Sequence, residues 1–144
     1  MVNSYSLKPA TDDNLDWLLS LRQETMSTYL QSTGMSVEET EMKKRILYNF
    51  SDIQIIYVQG KPAGMLKVRE DVRYFELIQI QIKPEYQGQG LGEKILKELI
   101  KRAAVKKLPV HLSVLKTNPA KCLYERLGFT TYEEDENSYK MANN

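Results

Sequence analysis

The chain has 144 residues, 42% of them hydrophobic and 27% charged, with a net charge of +1 at pH 7. That length buries one substantial core but not two full-sized ones, and the composition excludes a disordered or fibrous chain. The balanced charge gives no sign of a nucleic-acid binder, so any anionic ligand needs a local site.

Residues 2–8 read as a short strand that Pro9 ends, before Thr11 or Asp12 caps a helix running to about residue 30. Leu15, Leu18, Leu19, Met26, Tyr29 and Leu30 recur at helical spacing and define its buried stripe. Arg22 lies on the same stripe, where a buried charge requires a partner. Two partners suit it: an internal carboxylate, or a carboxylate on a substrate reached through a cleft. Gly34 marks a loop, and Met42, Ile46, Leu47 and Phe50 indicate a second helix over 37–50. Residues 53–58 form a β-branched strand, 59–62 a turn and 63–69 the returning strand of a hairpin.

A further strand is expected over 72–83, in which Ile78, Ile80 and Ile82 alternate with Gln79 and Gln81. A fully buried strand would be apolar on both faces, so this one borders a wet cleft. A helix over 91–105 carries Ile95, Leu96, Leu99 and Ile100 inward, and a strand over 108–115 follows. Strand, helix, strand implies a crossover that sets the two strands parallel. Asn118 and Pro119 open a short helix that Gly128 stops, and 129–134 with 138–141 form a terminal hairpin. No repeat or linker interrupts the chain, so residues 1–144 are expected to form a single α/β domain. Cys122, the lone cysteine, excludes an internal disulfide and a multi-cysteine metal site and reads as a small core residue. His111 on its strand reads as structural. Residues 1–11 lack the apolar run of a signal peptide and no segment suits a bilayer, so a cytoplasmic protein with no metal and no membrane or nucleic-acid partner is expected.

Gln87-Gly88-Gln89-Gly90-Leu91-Gly92 lies between a strand and a helix. Glycine permits positive φ and close approach of a ligand, and the first N–H groups of a helix favour negative charge. A pyrophosphate fits such a turn, and a tight connection with no ligand is the plain alternative. A triphosphate-binding loop needs a Gly-Lys-Ser/Thr ending that is absent here. A dinucleotide fold needs an acidic residue at the end of the next strand, where Leu115-Lys116-Thr117 stands instead, and the third glycine falls one place early.

The segment resembles the acetyl-coenzyme A site of the GNAT acetyltransferase superfamily, whose Gln/Arg-x-x-Gly-x-Gly/Ala signature is met by Gln87, Gly90 and Gly92. Ile80-Gln81-Ile82-Lys83-Pro84 resembles the family's fourth strand. Asn118-Pro119-Ala120 with Leu123-Tyr124-Glu125-Arg126-Leu127-Gly128-Phe129 resembles its closing motif. The resemblance implies a mixed, mostly antiparallel sheet flanked by helices, with parallel fourth and fifth strands that splay apart around the cofactor's pantetheine arm. It implies acetyl-coenzyme A as cosubstrate, held by Ile80, Gln81 and Ile82 through their backbone, by residues 87–92 (Gln87, Gly88, Gln89, Gly90, Leu91 and Gly92), and by Asn118; Lys121 or Arg126 would meet the outer phosphate. It also implies direct transfer to the primary amine of a small molecule or peptide, with Tyr124 as general acid for the departing thiolate and Glu76 as a candidate base. Ser113 stands where protein-N-terminal acetyltransferases often carry their base, a departure that lowers the case for a ribosomal-protein substrate. Arg22 and Tyr29 are expected near the acceptor, with Tyr132 and Tyr139 as further liners. Dimers are common in the family, so a homodimer is left open. The alternative on the same fold is a non-catalytic acetyl-coenzyme A sensor.

Overall fold

The β-branched run Ile53–Val58 and the segment Lys61–Glu70 pair as an antiparallel hairpin, β2 and β3, at the heart of the sheet. Around them the computed structural model, which describes residues 4–32 and 39–143 with side chains from 4–25 and 39–143, places strands β1 (Ser6–Pro9), β4 (Phe75–Ile82), β5 (Val110–Leu115), β6 (Thr130–Glu134) and β7 (Ser138–Ala142). The helices are α1 (Leu15–Ser32), α2 (Glu39–Leu47), α3 (Leu91–Val105) and α4 (Ala120–Arg126). The seven strands form one sheet in the order β1-β2-β3-β4-β5-β7-β6. β4 and β5 are its parallel pair, joined by α3, and the other neighbours run antiparallel.

Alternation sends the side chains of each strand to opposite faces, and each face is closed by helices. On one, Ile56, Leu66, Phe75, Leu77 and Leu112 pack against Leu91, Ile95, Leu96 and Leu99 of α3. On the other, Ile53, Ile55 and Met65 meet Leu18, Leu19 and Leu21 of α1 and Met42 and Ile46 of α2. Each fully buried Leu, Ile or Met contributes about 1.5–3 kcal/mol of transfer free energy.

β4 departs from simple alternation. Lys67 of β3 is opposite Gln79 and Val68 is opposite Leu77, so Ile78 has no counterpart and forms a bulge. The bulge resets the parity of the strand. Phe75 and Leu77 pack into the α3 core together with Ile80 and Ile82, whereas Gln79 and Gln81 pair with Lys67 and Met65, and Met65 packs on the α1–α2 side. The sequence reading of an unbroken Ile/Gln alternation is corrected at this residue.

Other boundaries shift for local reasons. β4 begins at Phe75 and not near residue 72, because Asp71 closes a turn: its Oδ1 accepts from the Arg73 N–H at 3.0 Å and its own N–H donates to the Tyr74 carbonyl at 3.0 Å. The second helix ends at Leu47, and Asn49 takes a positive φ of 51° before a short 3-10 turn at Phe50–Asp52. Cys122 is exposed on α4 and is not a core residue; the short helix buries Tyr124 in its place. His111 stacks on Tyr74 with ring centroids 4.3 Å apart. Among the described residues no helix is long and apolar enough to cross a membrane.

Candidate active site

The site begins where β4 and β5 stop pairing. Their register covers Phe75↔Val110, Glu76↔His111 and Leu77↔Leu112 and goes no further. Beyond it β4 continues along β3 as far as Ile82, and β5 continues along β7 as far as Leu115. Among the described residues the backbone of Ile78–Ile82 therefore has no strand partner on the β5 side, which leaves main-chain groups there, the Ile82 carbonyl excepted, open to a ligand. The Ile78 bulge lies one residue beyond the last β4–β5 pair, which ties the bend to the parting of the strands.

Two cavities open from this gap. The larger, about 520 Å³, is lined by Ile80, Gln81 and Ile82 of β4, by Gln87, Gly88, Gly90, Leu91 and Gly92 at the start of α3, and by Asn118 and Tyr124. The smaller, about 220 Å³, lies between β4 and β5 under α1 and α2, and shares Ile80, Gln81, Asn118 and Tyr124 with the first. A long ligand in the larger cavity and a second molecule in the smaller would thus meet beside Tyr124.

The glycine turn is shaped for a ligand. Gly88 and Gly90 adopt φ of 75° and 80°, a region that costs other residues about 1–2 kcal/mol. Gly92 sits in the first turn of α3, where glycine is a weak helix former. A Cβ added at Gly88, Gly90 or Gly92 would meet no heavy atom within 4 Å. Packing therefore does not demand glycine at 92, a residue that lines the cavity. Gln87 Nε2 donates to the Ile82 carbonyl at 2.8 Å, tying the turn to the open strand. Gln89 Nε2 donates to the Glu85 carbonyl at 3.1 Å and does not line the cavity.

Asn118 performs a structural task and faces both cavities. Its Oδ1 accepts from the Ala120 N–H at 2.9 Å, closing the turn that starts α4. Tyr124, 7% exposed, packs edge-on against Phe129 with centroids 5.9 Å apart. Burial pushes its hydroxyl up to about 12. Among the described residues that hydroxyl has no hydrogen-bond partner, so it is available to a ligand.

Other expected residues do not line these cavities or lie outside the described side chains. Glu76 lines neither cavity, and its Oε1 accepts from Arg69 Nε at 3.1 Å. Lys121 pairs with Glu125 at 3.6 Å and lies over the Tyr139 ring at 4.2 Å, whereas Arg126 lines the larger cavity and pairs with Glu93. Tyr29 belongs to α1, but its side chain lies outside the described residues, as do residues 33–38. Tyr132 and Tyr139 line neither cavity.

Arg22 is buried to 4% exposure and lines the smaller cavity. The internal carboxylate anticipated for it is not found among the described residues: it forms no salt bridge there, and its Nε has no hydrogen-bond partner. Sequence reasoning missed two of its neighbours. Arg45 of α2 lines the same cavity. Lys67 of β3 is fully buried, and its Nζ donates to the carbonyls of Arg45 at 2.9 Å, Ile46 at 3.1 Å and Tyr48 at 2.5 Å. It thereby satisfies carbonyls at the end of α2, where the helix dipole favours a cation. The signal was present in β3, where Lys67 follows Met65 at a two-residue step on a buried face.

The family model described as acetyltransferase (GNAT) domain matches residues 21–140. The spermine/spermidine N(1)-acetyltransferase of Bacillus subtilis (strain 168) is 31% identical over 134 residues, covering 88% of this chain and 88% of that protein. The thialysine N-epsilon-acetyltransferase of Bos taurus is 35% identical over 95 residues, covering 58% of this chain and 56% of that protein. Among solved structures, the PaiA N-acetyltransferase from Thermoplasma acidophilum in complex with coenzyme A shares the fold with a TM-score of 0.76 at 20% identity, over 97% of this chain and 98% of that one.

Proposed function

The chain belongs to the GNAT acetyltransferase family, and on that premise we propose that it transfers the acetyl group of acetyl-coenzyme A directly to a primary amine of a small molecule or peptide, within a ternary complex. The observation that carries the proposal is the juxtaposition of an open strand edge, Ile78–Ile82, with a glycine cradle whose vacant space no protein atom fills. A coenzyme fits these groups: unpaired backbone on β4 for an amide-rich arm, and helix N–H groups at Gly90–Gly92 for a pyrophosphate. Acetyl-coenzyme A supplies an acetyl thioester. The acceptor nitrogen forms the new C–N bond as the C–S bond breaks, the sulfur gains a proton and the nitrogen loses one.

The residues divide this work. A backbone N–H within Ile80–Ile82 is assigned to the carbonyl oxygen as negative charge develops on it. Tyr124, buried and with its hydroxyl unpartnered among the described residues, is assigned to the departing sulfur. Its hydroxyl at about 12 is a weaker acid than a thiol at about 8.5, so full proton transfer is uphill and its contribution is a strengthening hydrogen bond. Glu76, held by Arg69 outside both cavities, is assigned a role only through intervening water. Arg126 is better placed than Lys121 for the outer phosphate because it lines the cavity.

Calorimetric titration with acetyl-coenzyme A, followed by thiol release across a panel of amines, amino acids and short peptides, tests this reading. Binding with acceptor-dependent thiol release is expected. No binding refutes it, and binding without release for any acceptor favours a non-catalytic sensor.

A further inference from the structure

The smaller cavity has a charge that its position beside Tyr124 makes consequential. Arg22 comes down on it from α1 and Arg45 from α2, and no Asp or Glu lines it among the described residues. The neutral lining includes Gln79, Ser113 and Ser138. Lys67 lies behind the arginines, fully buried, and already spends its donors on three backbone carbonyls. Arg22 differs from it: a guanidinium 4% exposed, with an unsatisfied Nε and no carboxylate partner among the described residues. An uncompensated buried cation is destabilising, and is ordinarily relieved by an anion. Burial and the nearby Arg45 lower its pKa to about 10, and burial, with Arg22 adding to it, lowers that of Lys67, so the groups repel one another and are short of negative charge.

We propose that the amine acceptor also carries a carboxylate, which Arg22 binds with Arg45 beside it. This reading rests on the proposed acetyl transfer and narrows its substrate class to amino acids or amines of like charge. A guanidinium fork matches a carboxylate in plane and spacing, and a cavity of about 220 Å³ suits a small acceptor. A polyamine, the substrate named for the Bacillus relative, would bring ammonium groups against two arginines with a buried lysine behind them. The position of Gln79 adds to the argument: among the described residues its buried Oε1 has no partner in the same cavity, and so it can accept from an ammonium or amine on the same acceptor.

Two measurements test the proposal. In thiol-release kinetics, diamino acids are compared with the diamines left when their carboxylate is removed. The amino acids are expected to show a kcat/KM at least about tenfold higher. Arg22→Gln is expected to collapse that ratio towards one by raising KM for the carboxylate-bearing acceptor while leaving acetyl-coenzyme A affinity unchanged. Arg45→Gln, at an exposed position where folding is not at risk, is expected to weaken the preference in the same direction. Independently of turnover, N-acetyl amino acids and their carboxamides are titrated into the wild type and both variants. The carboxylates are expected to bind, the carboxamides to bind at least tenfold more weakly, and Arg22→Gln to abolish the difference. Equal binding of acid and amide, or diamines that outperform amino acids, overturns the proposal. Selective carboxylate binding with no acetyl transfer from any acceptor would leave this site standing and overturn the transferase reading instead.

Discussion

Replacing Gly92 by alanine separates a residue kept for a ligand from one kept for packing. In the protein alone the new methyl would have nothing within 4 Å, and the position is helical without a positive φ. Gly→Ala at a compatible site stabilises a protein by about 0.4–1 kcal/mol through the unfolded chain. For a domain of this size that raises the melting temperature by about 1–4 °C. Gly92 also lines the cavity at the helix N-terminus, where a phosphate would approach the backbone N–H groups and meet the added methyl. Loss of one charge-assisted hydrogen bond there costs about 1.5–3 kcal/mol, or roughly 10- to 100-fold in coenzyme A affinity. Differential scanning fluorimetry without ligand and calorimetry with coenzyme A read the two effects separately. Gly90→Ala serves as the contrast, because its φ of 80° makes alanine destabilising by about 1–2 kcal/mol whatever the ligand does. A Gly92→Ala protein that is more stable and binds coenzyme A as the wild type does would refute the cradle argument.

Other predictions follow from single contacts. Tyr124→Phe is expected to lower kcat by about 10- to 100-fold with little change in coenzyme A affinity, since it removes one hydrogen bond to the developing charge; an unchanged kcat in a thiol-release assay removes Tyr124 from the mechanism. Gly64→Ala would set a Cβ 2.3 Å from the Gln81 carbonyl oxygen. Relieving that overlap costs about 1–3 kcal/mol, a fall in melting temperature of about 2–12 °C, and pushes β4 at the segment assigned to the cofactor. A melting temperature unchanged by that substitution would show that β3 and β4 approach less closely there. Burial, reinforced by Arg22 and partly offset by Asp52, pushes Lys67 down to about 8. An unfolded lysine keeps its proton to about 10.4, so between about pH 8 and pH 10 the unfolded chain holds more protons and stability rises with pH, by at most about 1.4 kcal/mol per unit. Urea midpoints across that window are expected to climb for the wild type and to stay flat for Lys67→Met.

Much of this architecture was legible residue by residue. The run Ile53–Val58 and the helical repeat of Leu91–Val105 are placed where the sequence puts them, because periodicity and flanking turn residues are local signals. The glycine turn was legible for the same reason, since its sequence, its place between strand and helix and the electrostatics of a helix start are all set within a few residues. The closing segment around Asn118 and Tyr124 shared that property. Cys122 and Tyr124 show where such reading ends. They are two residues apart on one short helix, and only the packing of α4 against the sheet decides that the tyrosine is buried and the cysteine exposed.

The sequence by itself determined the order of elements, the crossover that makes β4 and β5 parallel, and the residue types at the start of α3, all of which depend on near neighbours in the chain. Only the tertiary structure decided the bulge at Ile78, the short reach of the β4–β5 pairing and the meeting of Arg22 and Arg45 at one cavity with Lys67 buried beside them. Those three cations come from α1, α2 and β3, and nothing in their spacing announces that they meet. Their proximity, and the shortage of negative charge it creates, is a property of how two helices close over one face of the sheet.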